Sequence, residues 1–193
     1  MGGDNISQFT GCTATVVLIS PTHYFCANAG DSRTVLARSS GPQMCFPLSD
    51  DHKPDNPGEK ARIEAAGGFV EENRVNGSLN LSRSLGDFEY KSHATFDFKQ
   101  QMVTCDPEIR TCARQNSDQF IILACDGIWD CLTSEECVVQ SREALTKLSN
   151  EQPISTMIEE MFDRIIAKDI LSSAGVGTDN MTCCIVKLKP RNE

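Results

Sequence analysis

The stretch that most constrains this chain is an uncharged apolar run that stops at an acid. Residues 121–125 read Ile-Ile-Leu-Ala-Cys, which predicts a buried strand. Asp126 and Gly127 follow at once, and we expect the glycine to let the backbone turn away beside the carboxylate. Asp130 comes four residues after Asp126. Two acids at a rigid strand end suit a divalent cation with oxygen ligands, but Asp is also an ordinary turn residue, so this stretch alone leaves both interpretations open.

The composition is that of an acidic, globular protein. Hydrophobic residues make up 39% of the chain and charged residues 23%, so it can bury a core. The net charge of -9 argues against a nucleic-acid or anionic-membrane partner. No apolar run approaches the roughly 18 residues of a membrane span. The first residues do not resemble a signal peptide, and we also expect a monomer.

The cysteines indicate a reducing compartment. There are 10 of them, and several lie within apolar, strand-like runs, where cysteine behaves as a small hydrophobic residue. No Cys-x-x-Cys pair is present, and the three histidines do not have zinc-finger spacing. We therefore expect free thiols, no zinc site, and an intracellular location in the cytoplasm, the nucleus or both.

Apolar and β-branched runs predict strands at residues 14–19, 23–29, 34–37, 108–113, 119–125 and 181–188. The first three are separated by short connections, which predicts antiparallel neighbours in a meander. The run at 108–113 alternates like an edge strand. Asn76-Gly77 is a strong signal for a hairpin turn, and residues 88–104 show no period and are predicted to be loop.

Three helices are predicted from their start signals. Asn56 and Glu59 form a box-like pattern at the start of the first. Thr133 and Glu136 form a capping box at the start of the second. The third opens at Pro153, and its methionine-containing apolar stripe predicts core contacts rather than a binding groove.

Four acids stand at predicted strand ends or turns: Asp31, Asp126, Asp130 and Asp179. Asp126 ends one strand and Asp179 precedes another, so the two carboxylates meet at one end of a sheet if these strands are antiparallel neighbours. Clustered acids without lysine partners repel one another, and cations would relieve that repulsion. Two divalent ions about 3.5–4 Å apart are a recurring arrangement in phosphate ester hydrolysis. Spacing alone does not establish that the four acids converge.

Eight short motifs in this order make the chain resemble a known family: Gly11-Cys12-Thr13-Ala14, Asn28-Ala29-Gly30-Asp31-Ser32-Arg33, Asp51-His52-Lys53-Pro54, Ala65-Ala66-Gly67-Gly68, Arg74-Val75-Asn76-Gly77-Ser78-Leu79, Leu81-Ser82-Arg83-Ser84-Leu85-Gly86-Asp87, Ala124-Cys125-Asp126-Gly127-Ile128-Trp129-Asp130 and Asp179-Asn180-Met181-Thr182. The chain resembles the metal-dependent protein phosphatase 2C family of serine/threonine phosphatases. The match runs from about Gly11 to Leu188 and so covers nearly the whole chain.

This resemblance implies an α+β fold in which a two-sheet antiparallel β-sandwich is flanked by helices. It implies phosphoprotein substrates and two or more Mg²⁺ or Mn²⁺ ions per site. Asp126 and Asp179 would ligate the core metal pair, and Asp31 and Asp130 would face a further metal position. Residues 53–73 would form a flap beside the cleft, within a partial catalytic domain that spans residues 1–193.

The departure from the family concerns its N-terminal portion. Family members carry an Asp-Gly-His-Gly motif there, together with an arginine that grips phosphate, and this sequence contains no Asp-Gly-His. The resemblance therefore identifies no catalytic residue in this chain. Either the chain is part of a longer phosphatase, or it is a catalytically inactive phosphatase-like module that binds partners or phosphoproteins.

Overall fold

The computed structural model describes residues 8–41, 43–149 and 151–189. Its strands are β1 (Gly11–Cys12), β2 (Ala14–Ile19), β3 (His23–Ala29), β4 (Arg33–Arg38), β5 (Cys45–Pro47), β6 (Val70–Glu71), β7 (Arg74–Val75), β8 (Leu85–Gly86), β9 (Glu108–Ala113), β10 (Asp118–Ala124) and β11 (Cys183–Lys187). Its α-helices are α1 (Pro57–Ala65), α2 (Asp126–Trp129), α3 (Ser134–Lys147) and α4 (Ile154–Ile165). The antiparallel sheets and helices confirm the predicted α+β class.

These residues form two compact units. The first contains the chain up to Ser20, Tyr24–Ser32 and Ser49–Thr111. The second contains Pro21–His23, Arg33–Leu48 and the chain from Cys112 onwards. Across the described ranges, no helix is both long enough and apolar enough to cross a membrane.

The second unit is built on a four-stranded antiparallel sheet in the order β11-β10-β4-β5. Its central strand, β10, is the predicted apolar run. Ile121 and Ile122 point to opposite faces of the sheet and both are fully buried, so apolar residues are required on each face. Phe120 and Ile122 belong to one core cluster with Met157 and Met161 of α4, which confirms that the methionine stripe is core.

Helix α3 begins at the predicted capping box. The backbone N–H of Glu136 donates to Oγ1 of Thr133 at 3.2 Å, and the backbone N–H of Thr133 donates to Oε2 of Glu136 at 2.9 Å. These two bonds satisfy backbone donors that have no partner inside the helix. Pro153 lies at the N-cap of α4, as predicted.

The first unit contains a three-stranded sheet in the order β2-β3-β9, with β9 at the edge as predicted. The meander prediction is correct for β2 and β3, which pair antiparallel, and wrong for the third strand. β4 pairs with β10 and β5 instead. The reason lies in the connection, where Gly30 has a φ of 116° that takes the backbone out of the strand conformation.

Two other local predictions are correct only in part. Asn56 is the N-cap residue of α1 but makes no side-chain cap bond, because its amide donates to the carbonyl of Asp51 and Glu59 is bound elsewhere. The hairpin β6–β7 turns at Glu72 and Asn73, which both have positive φ. The Asn76-Gly77 signal marks a second turn, in which residues 76–78 connect Val75 to Leu79, the partners of an isolated antiparallel bridge.

Candidate functional site

The two strand ends that carry Asp126 and Asp179 are neighbours. β10 and β11 pair antiparallel, and Ala124 at the end of β10 lies opposite Cys183 at the start of β11. Asp126 comes two residues after Ala124, and Asp179 comes four residues before Cys183. The sequence left the pairing of these strands open; they are antiparallel neighbours, and both acids lie at the same end of the sheet.

The short helix α2 fixes Asp126 relative to Asp130. The backbone N–H of Asp130 donates to the carbonyl of Asp126 at 2.8 Å, so the two residues are one helical turn apart on the same face. Ile128 and Trp129 are buried, and the indole N–H of Trp129 donates to the carbonyl of Ala124 at 2.8 Å. These contacts tie the turn rigidly to the end of β10.

Gly127 has a different role from the predicted one. It lies inside α2 and is absent from the glycines with positive φ, so it is not needed to turn the backbone. A Cβ built at this position would collide with the carbonyl oxygen of Asn180. The glycine is therefore required because the residues around Asp179 approach the start of α2 closely.

Cys125 was expected to act only as a small hydrophobic residue of the strand. Its Sγ instead donates to the carbonyl of Asn180 at 3.3 Å and accepts from the backbone N–H of Thr182 at 3.2 Å. The thiol thus joins the segment before Asp126 to the segment after Asp179. Nothing in the spacing of the sequence indicates this contact.

Asp31 lies in the first unit, and it has a lysine partner that the sequence interpretation missed. Nζ of Lys53 lies 2.6 Å from Oδ2 of Asp31. Asp31 is 2% exposed, so its negative charge is compensated inside the protein. The Asp51-His52-Lys53-Pro54 motif draws attention to Lys53, but it does not indicate which acid Lys53 binds.

The neighbouring motif residue His52 is a buried structural histidine. Its Nδ1 lies 3.1 Å from the carbonyl oxygen and 3.2 Å from the amide nitrogen of Gly30. Its Nε2 lies 3.6 Å from Oε2 of Glu108. Burial, together with the positive charge of Arg83, lowers the pKa of His52, and nearby carboxylates only partly oppose this.

Glu59 of α1 anchors the segment that the sequence predicts to be a flap. Its carboxylate accepts hydrogen bonds from Arg83, from the hydroxyl of Ser82 at 2.7 Å and from Arg62 at 2.7 Å. Burial by itself would raise the pKa of Glu59, but these donors outweigh it and lower the pKa to about 2. Arg62 also donates to the carbonyl of Ser82 at 2.6 Å, which fixes the helix a second time.

The predicted ligands carry oxygen atoms that suit a hard cation, but they do not form a complete metal site. Asp126, Asp130 and Asp179 offer carboxylate oxygens, the ligands that Mg²⁺ and Mn²⁺ prefer. However, residues 8–41, 43–149 and 151–189 contain no group of three or more His, Cys, Asp or Glu side chains that could hold a metal ion. The metal-ligand role of these acids therefore stays a prediction.

Comparisons with known proteins agree on one family. The family model described as Protein phosphatase 2C matches residues 5–170. A relative in Arabidopsis thaliana, Probable protein phosphatase 2C 21, is 46% identical over 96% of this chain and 51% of its own length. Protein phosphatase 2C homolog 2 of Schizosaccharomyces pombe is 49% identical over 92% of this chain and 46% of its own length. The chain spans about half the length of these curated relatives.

Solved structures have the same fold. A phosphatase from a pathogenic strain of Toxoplasma gondii superposes with a TM-score of 0.71 at 26% identity, over 89% of this chain and 52% of that one. Serine-threonine phosphatase 2C from Toxoplasma gondii superposes with a TM-score of 0.72 at 24% identity, over 95% of this chain and 60% of that one, and supports the fold alone. Together with the matched motifs, these similarities establish that the chain belongs to the protein phosphatase 2C family.

Proposed function

We propose that the protein hydrolyses phosphoserine and phosphothreonine in proteins, and that its reaction depends on Mg²⁺ or Mn²⁺. Membership of the family supports the reaction class. The observation that carries the proposal is the pairing of β10 with β11, which sets Asp126 and Asp179 at one end of a sheet. In phosphate ester hydrolysis, divalent ions activate water and stabilise the developing charge.

The residues of this chain have distinct parts in the proposal. Asp126 and Asp179 would ligate the core metal pair together with ligands that the described residues do not supply, and Asp130 would face a further metal position. Asp31, in the first unit, is a further candidate ligand. Phosphate monoesters are so slow to hydrolyse unaided that the catalyst must supply on the order of 20 kcal/mol, which favours metal ions over a lone side chain. We also propose an intracellular location in the cytoplasm, the nucleus or both, because several cysteines lie within apolar, strand-like runs of the sequence.

The test is the release of inorganic phosphate from a phosphothreonine peptide, with Mn²⁺ or with EDTA. It compares the 193-residue chain with a chimera that adds the N-terminal portion of the Schizosaccharomyces pombe relative. Because this chain would supply only part of the ligand set, we expect phosphate release by the chimera alone, and we expect EDTA to abolish it.

Two outcomes contradict parts of this proposal. Activity of the 193-residue chain by itself would show that its acids suffice for catalysis. A chimera that is folded by circular dichroism, yet releases no phosphate with Mn²⁺, would contradict the enzyme assignment. That second result would favour an inactive module that binds phosphoproteins. The unmodified relative is the positive control.

A further inference from the structure

The peptide group of Asn180 is held between Cys125 and Gly127. Sγ of Cys125 donates to the carbonyl oxygen of Asn180 at 3.3 Å. On the other side, Gly127 approaches the same oxygen so closely that a Cβ could not be accommodated. We call the contacts of Cys125 and Gly127 with residues 180–182 the Asn180 clamp.

The clamp continues the β10–β11 pairing beyond its last register pair, Ala124 and Cys183. The backbone N–H of Cys125 donates to the carbonyl of Thr182 at 3.1 Å. The backbone N–H of Thr182 donates back to Sγ of Cys125 at 3.2 Å. Three hydrogen bonds of Cys125 therefore connect the end of β10 to the segment that leads into β11.

The position of the clamp matters because it encloses both acids. Asp126 lies between Cys125 and Gly127 in the chain, and Asp179 directly precedes Asn180. The backbone N–H of Asn180 belongs to the preceding peptide group, and it donates to Oδ1 of Asp179 at 2.7 Å. The Asp179 carboxylate is therefore linked to the clamped carbonyl through the Cα of Asn180. Movement of the Asn180 peptide would thus change the separation of the two carboxylates.

Cys125 differs in its exposure and in its hydrogen bonds from the thiols packed in the core of the same unit. Cys45 and Cys137 are buried, and burial raises the pKa of each to about 11, as expected of thiols that serve as apolar packing groups. Cys125 is half-buried, and its sulfur both donates and accepts a hydrogen bond. Its side chain is placed to orient backbone groups.

We propose that Cys125 is a positioning residue whose thiol, together with Gly127, fixes the Asn180 peptide and thereby the relative placement of the Asp126 and Asp179 carboxylates. The benefit to catalysis rests on the proposed function, because it assumes that both carboxylates act on one metal site. The contacts themselves can be tested without metal and without activity.

The test uses NMR of the 193-residue chain and three variants. Cys125→Ala removes the thiol, and Cys125→Ser restores a group that both donates and accepts. Cys184→Ala is the matched control, since Cys184 is exposed on β11. We expect amide hydrogen exchange at Thr182 to accelerate about tenfold in Cys125→Ala, which corresponds to about 1.4 kcal/mol. The serine variant should recover most of the protection, and the control should match the parent.

The carboxyl carbon resonances of Asp126 and Asp179 provide the second readout. Both should shift in Cys125→Ala, return towards the parent positions in Cys125→Ser, and stay unchanged in Cys184→Ala. Parent-like exchange or unshifted carboxyl resonances in Cys125→Ala would overturn the proposal. If the alanine variant does not fold, parent-like exchange and resonances in Cys125→Val, which lacks both hydrogen-bonding functions, would overturn it equally.

Adding Mn²⁺ to the chimera, which adds the N-terminal portion of the Schizosaccharomyces pombe relative, distinguishes the clamp from the proposed function. Paramagnetic broadening of both carboxyl resonances would support a shared metal site. If Mn²⁺ broadens neither resonance, the metal assignment in this chain is contradicted, whereas the clamp is still decided by the exchange rates and shifts measured without metal.

Discussion

Two N–H groups of Arg83 donate to the carboxylate of Glu59: Nη2 lies 2.6 Å from Oε1, and the single Nε–H is shared between Oε1 at 3.1 Å and Oε2 at 3.2 Å. The side chain of Glu59 is 7% exposed and that of Arg83 is 19% exposed, so the pair is largely shielded from water. Arg83 also donates to the carbonyl of Asp106 at 3.0 Å. This pair fastens α1 to two separate loops of the first unit and limits the movement of the predicted flap.

We expect Glu59→Gln to lower the free energy of unfolding by about 3 kcal/mol, because it leaves two partly buried guanidinium groups without a counter-charge. Urea unfolding followed by circular dichroism measures this loss. Glu64→Gln is the control, since Glu64 is exposed on the same helix and its replacement should change stability by less than about 0.5 kcal/mol. Equal stabilities of the two variants would contradict the anchoring role of Glu59.

Glu59 should also contribute to acid sensitivity. Its pKa falls from an ordinary value of 4.5 to about 2 in the folded protein, so the folded state favours the ionised form. The resulting stabilisation is complete above pH 4.5 and is lost as the pH falls from 4.5 towards 2. Unfolding curves of the parent and of Glu59→Gln over this range should converge at the acidic end. A constant difference between them would be inconsistent with the lowered pKa.

Local sequence rules predicted a helix start correctly where the start depends only on neighbouring residues. Thr133 and Glu136 cap α3 with each other, and their spacing of three residues is visible in the sequence. Asn56 and Glu59 have the same spacing, but Glu59 binds Arg83 and Ser82, which are 24 and 23 residues away. Spacing within one helix cannot reveal such a tertiary partner.

His52 should make the protein less stable below neutral pH. Its pKa is lowered in the folded state, so the unfolded chain binds the proton more readily. Stability should therefore fall as the pH drops below 6.5, by at most about 1.4 kcal/mol per pH unit. Thermal unfolding at several pH values tests this, with His52→Gln expected to reduce the slope and His23→Gln to preserve it. The same slope in all three proteins would exclude His52 as the cause.

Lys53→Met should show how much the negative charge of Asp31 destabilises the folded protein when the lysine is absent. The variant removes the ammonium group that lies 2.6 Å from a buried carboxylate. We expect the free energy of unfolding to fall by about 3 kcal/mol. If Asp31 accepts a divalent cation, Mn²⁺ should raise the melting temperature of this variant more than that of the parent. Lys60→Met, at an exposed position of α1, should respond like the parent. Identical Mn²⁺ responses in all three would contradict a metal role for Asp31.

The candidate site was predictable only in part. A buried run that ends in an acid indicates that Asp126 lies at the end of a strand. The pairing of that strand with the one after Asp179 could be stated only as a condition, because the sequence does not show which strands are neighbours. The contacts of Cys125 with Asn180 and Thr182 span 55 and 57 residues and involve backbone groups, which no residue pattern encodes. The contact between Lys53 and Asp31 joins two side chains 22 residues apart, and it was missed because the sequence does not show which distant residues meet.

The central claim is that the strand-end acids Asp126 and Asp179 serve the hydrolysis of phosphoproteins. The most direct test is the rate constant kcat of the chimera on a phosphothreonine peptide with Mn²⁺, compared with Asp126→Asn, Asp179→Asn and Asp163→Asn. Asp163 is an exposed acid of α4 and serves as the matched control. The account predicts that the first two variants lose at least about 100-fold in kcat, as expected when an electrostatic catalytic group is removed, and that the control keeps its rate. Parent-like rates for Asp126→Asn and Asp179→Asn in folded protein would contradict the claim.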